Sequence, residues 1–150
     1  MIPNKQLSKN FGLSEFLTSQ TAVRNNFLEQ FQPPDSVIDN LQELVTNVLQ
    51  PLRDLLPDGV IHISSGYRCP RDNQAVGGVS NSQHVLGMAA DCQYIENGVT
   101  MNMKLHNTLI NSKLVWDQCI REFGTEINPA WIHISYNSNG NERKMDFKIG

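Results

Sequence analysis

The chain has 150 residues, of which 39% are hydrophobic and 18% charged, and its formal net charge is -3. This length and composition are typical of one globular domain and exclude a largely disordered chain. The slightly acidic balance argues against a nucleic-acid-binding protein, which would normally carry a basic patch or stripe.

The N-terminus and the cysteines indicate where the protein is made. The first residues lack the apolar stretch and the small-residue cleavage site of a secretory signal. No apolar run is long enough to span a bilayer, so no transmembrane segment is expected. Three sparse cysteines do not form a disulfide framework. We therefore expect a protein that stays in a cytoplasm, with its cysteines reduced and buried as small hydrophobic residues.

Residues 1–57 are predicted to be helical. A short helix is expected after Ser14, and Pro33 and Pro34 interrupt it. Asp35 or Ser36 can cap a longer helix, in which apolar residues recur at three- and four-residue steps on one face. These apolar residues are Val37, Ile38, Leu41, Leu44, Val45, Val48, Leu49 and Leu52. The helix is expected to end near the sequence LLPDG.

Residues 58–140 are predicted to form a small sheet. A strand is expected at VIHISS, where β-branched residues alternate with polar ones. Further strands are expected at AADCQY, WDQCIREF and WIHISY. An irregular loop rich in Gly, Asn and Ser separates the first two strands, and a helix at TMNMKLHNTLINS separates the second and third. The fold class is therefore α+β, a single domain with N-terminal helices packed on a mainly antiparallel sheet. Residues 141–150 are predicted to be a C-terminal tail.

Four histidines are candidates for chemistry. His106 is interpreted as a surface residue of a helix, and His62 as a packed or hydrogen-bonded strand residue. His84 precedes Asp91 by seven positions, and His133 lies on the opposite strand face from two isoleucines. Two His and one Asp, with a fourth position open, form a pattern typical of catalytic zinc. The alternative is a loop that leads into an ordinary buried strand.

Three motifs in order make this pattern specific. The sequence SQHVLGMAAD reads S-x-H-x-x-G-x-A-x-D, from Ser82 to Asp91. It follows SSGYR, which ends at Arg68, and precedes WIHIS. From about residue 60 to residue 136 the chain resembles the zinc D-alanyl-D-alanine carboxypeptidase family, which also contains phage endolysins that cut L-alanyl-D-glutamate bonds. The helical stretch before it is similar to the small phage-encoded branch of that family.

The resemblance implies a Zn²⁺ site with three protein ligands, His84, Asp91 and His133. Arg68 would contact a substrate carbonyl or carboxylate and so take part in catalysis. Ser82 would hydrogen-bond the substrate, or would only stabilise its loop. Gly87 and Ala89 would allow tight packing between the ligands. The implied substrate is a peptidoglycan stem peptide containing a D-amino acid.

The resemblance also implies a setting. An endolysin of a phage or prophage would wait in the host cytoplasm without a signal peptide and act on the cell wall after release. A virion-associated enzyme would have phage particle components as partners.

The chain departs from the family at the general base. Where the family commonly carries a carboxylate, three residues before the last His ligand, this chain has Ala130. Glu122, on the neighbouring predicted strand, is the replacement we expect, and the loop residue Glu126 is a poorer candidate. The alternative is a non-catalytic, zinc-binding structural or wall-binding descendant. A zinc-binding signalling domain is a third hypothesis.

Overall fold

The computed structural model describes residues 5–150 and confirms the predicted α+β class. In this part of the chain, N-terminal helices accompany one mainly antiparallel six-stranded sheet with the order β1-β2-β5-β4-β6, and β3 pairs with β2. Within the same residues, no helix has both the length and the apolar character required to cross a bilayer.

The regular elements are short. The helices are α1 (Gln20–Asn25), α2 (Asp35–Leu44), α3 (Gln50–Asp54), α4 (Pro70–Ala75), α5 (Gln83–Leu86) and α6 (Asn102–Ile110), with 3₁₀ turns at Leu13–Phe16 and Leu28–Phe31. The strands are β1 (Val60–Ser65), β2 (Ala89–Glu96), β3 (Val99–Thr100), β4 (Gln118–Glu122), β5 (Trp131–Ser135) and β6 (Met145–Ile149). The long helix and the four predicted strands lie where expected, whereas α4 and α5 lie in the segment predicted as an irregular loop.

The long predicted helix is continuous but contains a π-helical turn. Helices α2 and α3 are joined by the π turn Val45–Leu49. Pro51 follows at the start of α3, and a proline lacks the N–H that an α-helical bond requires, which accounts for the wider turn before it. The predicted cap is wrong by one residue or two, because Pro34 is the N-cap and Asp35 and Ser36 already lie in the helix.

The hydrophobic core lies between the long helix and one face of the sheet. Its helical side carries the predicted apolar stripe, since Leu41, Leu44 and Leu49 are fully buried. Its sheet side includes Ile132 and Ile134 of β5, also fully buried. The three cysteines are free and buried, as predicted. Burial of one sheet face leaves the alternate residues of β2, β4 and β5 to form the other face.

The predicted C-terminal tail is partly wrong. Residues Met145–Ile149 form β6, which pairs in parallel with β4 along its whole length. The segment MDFKI alternates apolar and polar residues, which is a strand signal that the tail prediction overlooked. Its parallel pairing with β4, by contrast, has no local signal.

Two histidines also differ from their predicted environments. His106 was expected at the surface, but it is buried, and its Nε2 lies 2.8 Å from Asp146 Oδ1 of β6. The prediction for His106 was wrong because β6 was not predicted, and Asp146 of β6 is the partner of the His106 side chain. His62 was expected to be packed, but it is exposed on β1.

Candidate metal centre

Three chain segments bring His84, Asp91 and His133 together. Asp91 of β2 lies directly opposite His133 in the antiparallel register of β5, so both side chains project from the same face of the sheet. His84 comes from α5, the short helix that immediately precedes β2. The ligand atoms that these three residues offer all lie within 4.8 Å of one another.

The distances between the donor atoms fit a small tetrahedral metal ion. Asp91 Oδ1 lies 3.3 Å from His84 Nε2 and 3.2 Å from His133 Nδ1. Zinc bonds to nitrogen and oxygen of about 2.0–2.2 Å, at a tetrahedral angle, separate the ligand atoms by about 3.3–3.5 Å. The three side chains therefore have the chemistry and the spacing of a zinc site, and they leave a fourth position for water or substrate.

The orientation of His84 supports the same interpretation. Its Nδ1 lies 2.7 Å from the carbonyl oxygen of Gly66, which can only accept a hydrogen bond, so Nδ1 carries the proton. Nε2 then faces the oxygen of Asp91 across 3.3 Å, and either a proton or a metal ion must lie between these two atoms. A backbone carbonyl behind a ligand histidine is a common outer partner in metal sites.

The electrostatics of Asp91 depend on the two histidines. Burial alone would raise the pKa of this carboxyl, but hydrogen bonds from His133 and His84 outweigh it and hold the pKa below its usual value. The side chain of Asp91 is only 13% exposed. A largely buried carboxylate is retained where a positive charge accompanies it.

The turn between His84 and Asp91 explains the small residues of the motif. Gly87 ends α5 with a φ of 75°, in the left-handed region. A Cβ on this glycine would lie 2.7 Å from the carbonyl oxygen of Val37, closer than packing allows. Ala89 and Ala90 are fully buried. The small residues therefore let the chain reverse against α2 and enter β2 one turn after His84.

Glu122 lies on the metal-site face, beside the three ligands. It is opposite Trp131 in the register of β4 and β5, two pairs beyond Ile120 and His133 and so on the same face. Its Oε2 lies 3.9 Å from His133 Nδ1 and accepts a 3.0 Å hydrogen bond from Trp131 Nε1. Burial and then the charge of Asp91 raise its pKa, against the lowering effect of His133 and the indole hydrogen bond.

The two other positions considered for the base, Ala130 and Glu126, do not place a carboxylate beside His133. Ala130 lies just before β5 and offers no carboxylate, and its N–H donates to the carbonyl oxygen of Glu122. Glu126 is exposed in the loop that joins β4 to β5. Of the acids considered, Glu122 has the fixed position next to His133.

Arg68 and Ser82 flank the helix that carries His84. The backbone N–H of Arg68 donates to the carbonyl oxygen of His84 over 3.1 Å. Within residues 5–150, Arg68 Nε is buried without a hydrogen-bond partner. Ser82 Oγ caps α5 by accepting the N–H of His84 at 3.2 Å. This contact favours the loop-stabilising role of Ser82 that the sequence left open.

A buried acid that the sequence analysis missed holds the same helix. Asp117 is fully buried and accepts a 2.8 Å hydrogen bond from Gln83 Nε2. Arg143 donates to Asp117 from its backbone N–H, Nε and Nη2. An Asp before a strand and an Arg in a polar loop give no pattern that would link them. Trp131 was also missed as a partner of Glu122, although its face had been predicted.

Comparison with known proteins identifies the family. A family model described as Peptidase M15 matches residues 9–135. The matched residues include the three candidate metal ligands, Glu122, Arg68 and Ser82. A search of curated proteins gave no significant match.

Proposed function

The chain belongs to the peptidase M15 family, a family of metallopeptidases, and from this premise we propose that it hydrolyses peptidoglycan stem peptides containing D-amino acids with the help of Zn²⁺. The observation that carries the proposal is the meeting of His84, Asp91 and His133 at distances suited to zinc. The carboxylate of Glu122 beside them supplies the group that proton transfer requires.

The residues have distinct parts in the proposed reaction. Zinc held by the three ligands would polarise the scissile carbonyl and lower the pKa of a water to about 7. Glu122 accepts a proton from the attacking water, whose oxygen bonds to the carbonyl carbon. The same carboxyl then gives the proton to the leaving nitrogen as the carbon–nitrogen bond breaks. The guanidinium of Arg68 contacts the substrate carbonyl or carboxylate.

The raised pKa of Glu122 suits this work. Burial, the largest cause, raises the pKa of Glu122, so the group is a stronger base than an exposed carboxylate. A zinc ion held by Asp91 would offset the second cause, the charge of that carboxylate. Trp131 fixes one of the two oxygens of Glu122, which leaves the other to exchange the proton. The partly buried position also limits competition from bulk water.

The finer role that we propose is that of a phage or prophage enzyme. The resemblance to the small phage-encoded branch supports either an endolysin that reaches the wall after release or an enzyme carried by the virion. Either D,D-carboxypeptidase or L-alanyl-D-glutamate endopeptidase activity is compatible with the same four residues, because the bond that is cut depends on the pocket and not on the metal centre.

One observation favours a second candidate function. Ala130 occupies the position where the resembling family commonly places its base, and alanine cannot carry a proton. If Glu122 does not replace that base, the chain is a zinc-binding structural or wall-binding protein. The two functions share the metal and differ in hydrolysis.

The test is peptide release from purified peptidoglycan by the zinc-loaded protein. His84→Ala should lose release together with zinc binding. Glu122→Gln should keep zinc and lose release at least about 100-fold, while Glu126→Gln, the same change on an exposed acid of the next loop, should behave as the native protein. If the native protein releases peptide and Glu122→Gln releases it equally well, Glu122 is not the base. Zinc binding without any release would establish the non-catalytic function.

A further inference from the structure

An aromatic pair lies next to the candidate base on the metal-site face of the sheet. The rings of Phe123 and Trp131 have centroids 5.2 Å apart and planes inclined at 46°. Trp131 in turn donates its indole N–H to Glu122. Phe123 remains 47% exposed, so the pair is not fully covered by the protein.

The position of this ring costs backbone strain. Along β4, alternation would place the residue after Glu122 on the opposite face of the sheet. Phe123 instead has a φ of 56°, in the left-handed region, and its ring lies against Trp131. This conformation is unfavourable for a bulky side chain. Such strain persists where surrounding structure imposes it, and it is concentrated at functional sites.

The hydrogen bonds around Phe123 maintain the strained conformation. Its N–H donates to the carbonyl oxygen of Ile149 over 2.8 Å, and its own carbonyl oxygen accepts from Lys148 Nζ over 3.0 Å. Strand β6 therefore fixes the backbone at the residue where alternation is broken. These two contacts hold the backbone of Phe123 and so fix where its side chain leaves the chain.

From these contacts we propose that Phe123 and Trp131 form a substrate subsite that packs against a CH-rich face of the substrate next to the scissile bond. The inference rests on the proposed function, since the metal centre sets where that bond lies. A peptidoglycan fragment offers such a face from two sources, the sugar rings of the glycan and the aliphatic side chains of the stem peptide. Aromatic side chains with one open face bind both by contact and burial.

The variant that tests the subsite is Phe123→Asn. Asparagine adopts the left-handed conformation readily, so the change removes the ring and keeps the backbone. Phe123→Tyr retains an aromatic ring and should bind the probes as the reference protein does. Lys144→Asn is the matched control, because Lys144 also has a positive φ, of 51°. Lys144 immediately precedes β6 and lies near the first residue of β4. Glu122 is the last residue of β4, so Lys144 is at the opposite end of that strand from the candidate base.

Binding is measured by calorimetry on zinc-loaded protein in a Glu122→Gln background, so that the probe is not hydrolysed. The probes are a disaccharide-linked stem peptide and the free stem peptide of the same sequence. Phe123→Asn should raise the Kd about tenfold, as expected for the loss of about one aromatic contact. Phe123→Tyr and Lys144→Asn should leave the Kd within about twofold. Zinc affinity should not change in any of them.

The outcomes separate the two sources of the ligand face. Weaker binding of the disaccharide-linked probe alone identifies the sugar, and weaker binding of both probes identifies the peptide side chain. An unchanged Kd for both probes in Phe123→Asn overturns the subsite, as does the absence of binding in the Glu122→Gln reference. Phe123-dependent binding without peptide release by the native protein retains the subsite and rejects the enzymatic function.

Discussion

At the scale of single residues, Gly87 controls how His84 enters the metal site. Its positive φ and its approach to Val37 together require glycine. Gly87→Ala should destabilise the protein by about 2 kcal/mol or more and weaken zinc binding, because α5 must shift away from α2. Thermal unfolding and competition with a chelator measure the two effects.

Gly77 provides the control for this prediction. Its φ is 80°, but nothing lies within 4 Å of the position that a Cβ would take. Gly77→Ala therefore carries the conformational cost alone, about 1 kcal/mol, and should leave zinc affinity unchanged. Equal effects of the two substitutions on stability and on zinc would show that the contact with Val37 does not matter.

Trp131 is the second residue whose contribution can be isolated. Trp131→Phe removes the indole N–H that fixes Glu122 Oε2 and retains a ring against Phe123. We expect kcat for peptide release to fall about tenfold with little change in zinc affinity, since a misplaced base slows proton transfer. In Glu122→Gln protein, the same substitution should have little further effect on kcat. Equal losses in both backgrounds would mean that Trp131 acts independently of Glu122.

At the scale of secondary-structure elements, α5 is too short to hold His84 in place alone. Four residues, Gln83–Leu86, form the helix, and a single turn has little stability of its own. Asp117 anchors its first residue by the hydrogen bond from Gln83, and Arg143 compensates the charge of Asp117. The metal ligand thus depends on a buried acid at the start of β4.

This anchor predicts a pH dependence of stability. The hydrogen bonds of Arg143 lower the pKa of Asp117 from 3.8 to about 2. A carboxyl with a lower pKa in the folded than in the unfolded state stabilises the fold above about pH 4, and this contribution is lost as the pH falls through 2. Asp117→Asn should therefore cost about 2 kcal/mol at pH 6.

Denaturant unfolding from pH 6 to pH 2 measures the difference between the native protein and Asp117→Asn. The difference should shrink across the acidic range, because protonation removes from the native protein what the substitution has already removed. A difference that stays constant with pH would show that the charge of Asp117 is not what stabilises α5. Asp39→Asn, at an exposed position of α2, should change stability by less than about 0.5 kcal/mol.

The elements that could be predicted are those with a local pattern. The three-four repeat from Val37 to Leu52 and the alternation in VIHISS and WIHISY depend only on neighbours in the chain. The three motifs indicated His84, Asp91 and His133 as candidate metal ligands, and alternation placed Glu122 on a face with Ile120. The antiparallel register then put that face beside His133, which no local pattern specifies.

The missed features all depend on partners distant in the chain. The pairs Gln83–Asp117, Asp117–Arg143 and His106–Asp146 span 34, 26 and 40 positions. The break in alternation at Phe123 was missed for the same reason, because β6 imposes it through Ile149. A single sequence carries no periodicity that reports such contacts.

At the scale of the whole molecule, the last fifteen residues complete a sheet that the family match does not include. The match ends at residue 135, whereas β6 lies at Met145–Ile149 and pairs with all five residues of β4. Arg143 and Asp146, from the same segment, accompany the buried Asp117 and His106. The C-terminal segment therefore contributes both a strand and two charged partners to the interior.

A chain that ends after Tyr136 should consequently be much less stable than the full chain. It removes the hydrogen bonds that the half-exposed Arg143 donates to Asp117, a loss of about 2 kcal/mol, and it exposes the edge of β4 to association with other chains. We expect a lower unfolding temperature and concentration-dependent aggregation, measured by thermal denaturation and light scattering. In the full-length chain, Arg143→Ala should reproduce the loss of stability without the aggregation, because β6 still covers β4. If the shortened chain unfolds at the same temperature as the full chain, β6 does not contribute to stability, and the segment that contains residues 9–135 folds without it.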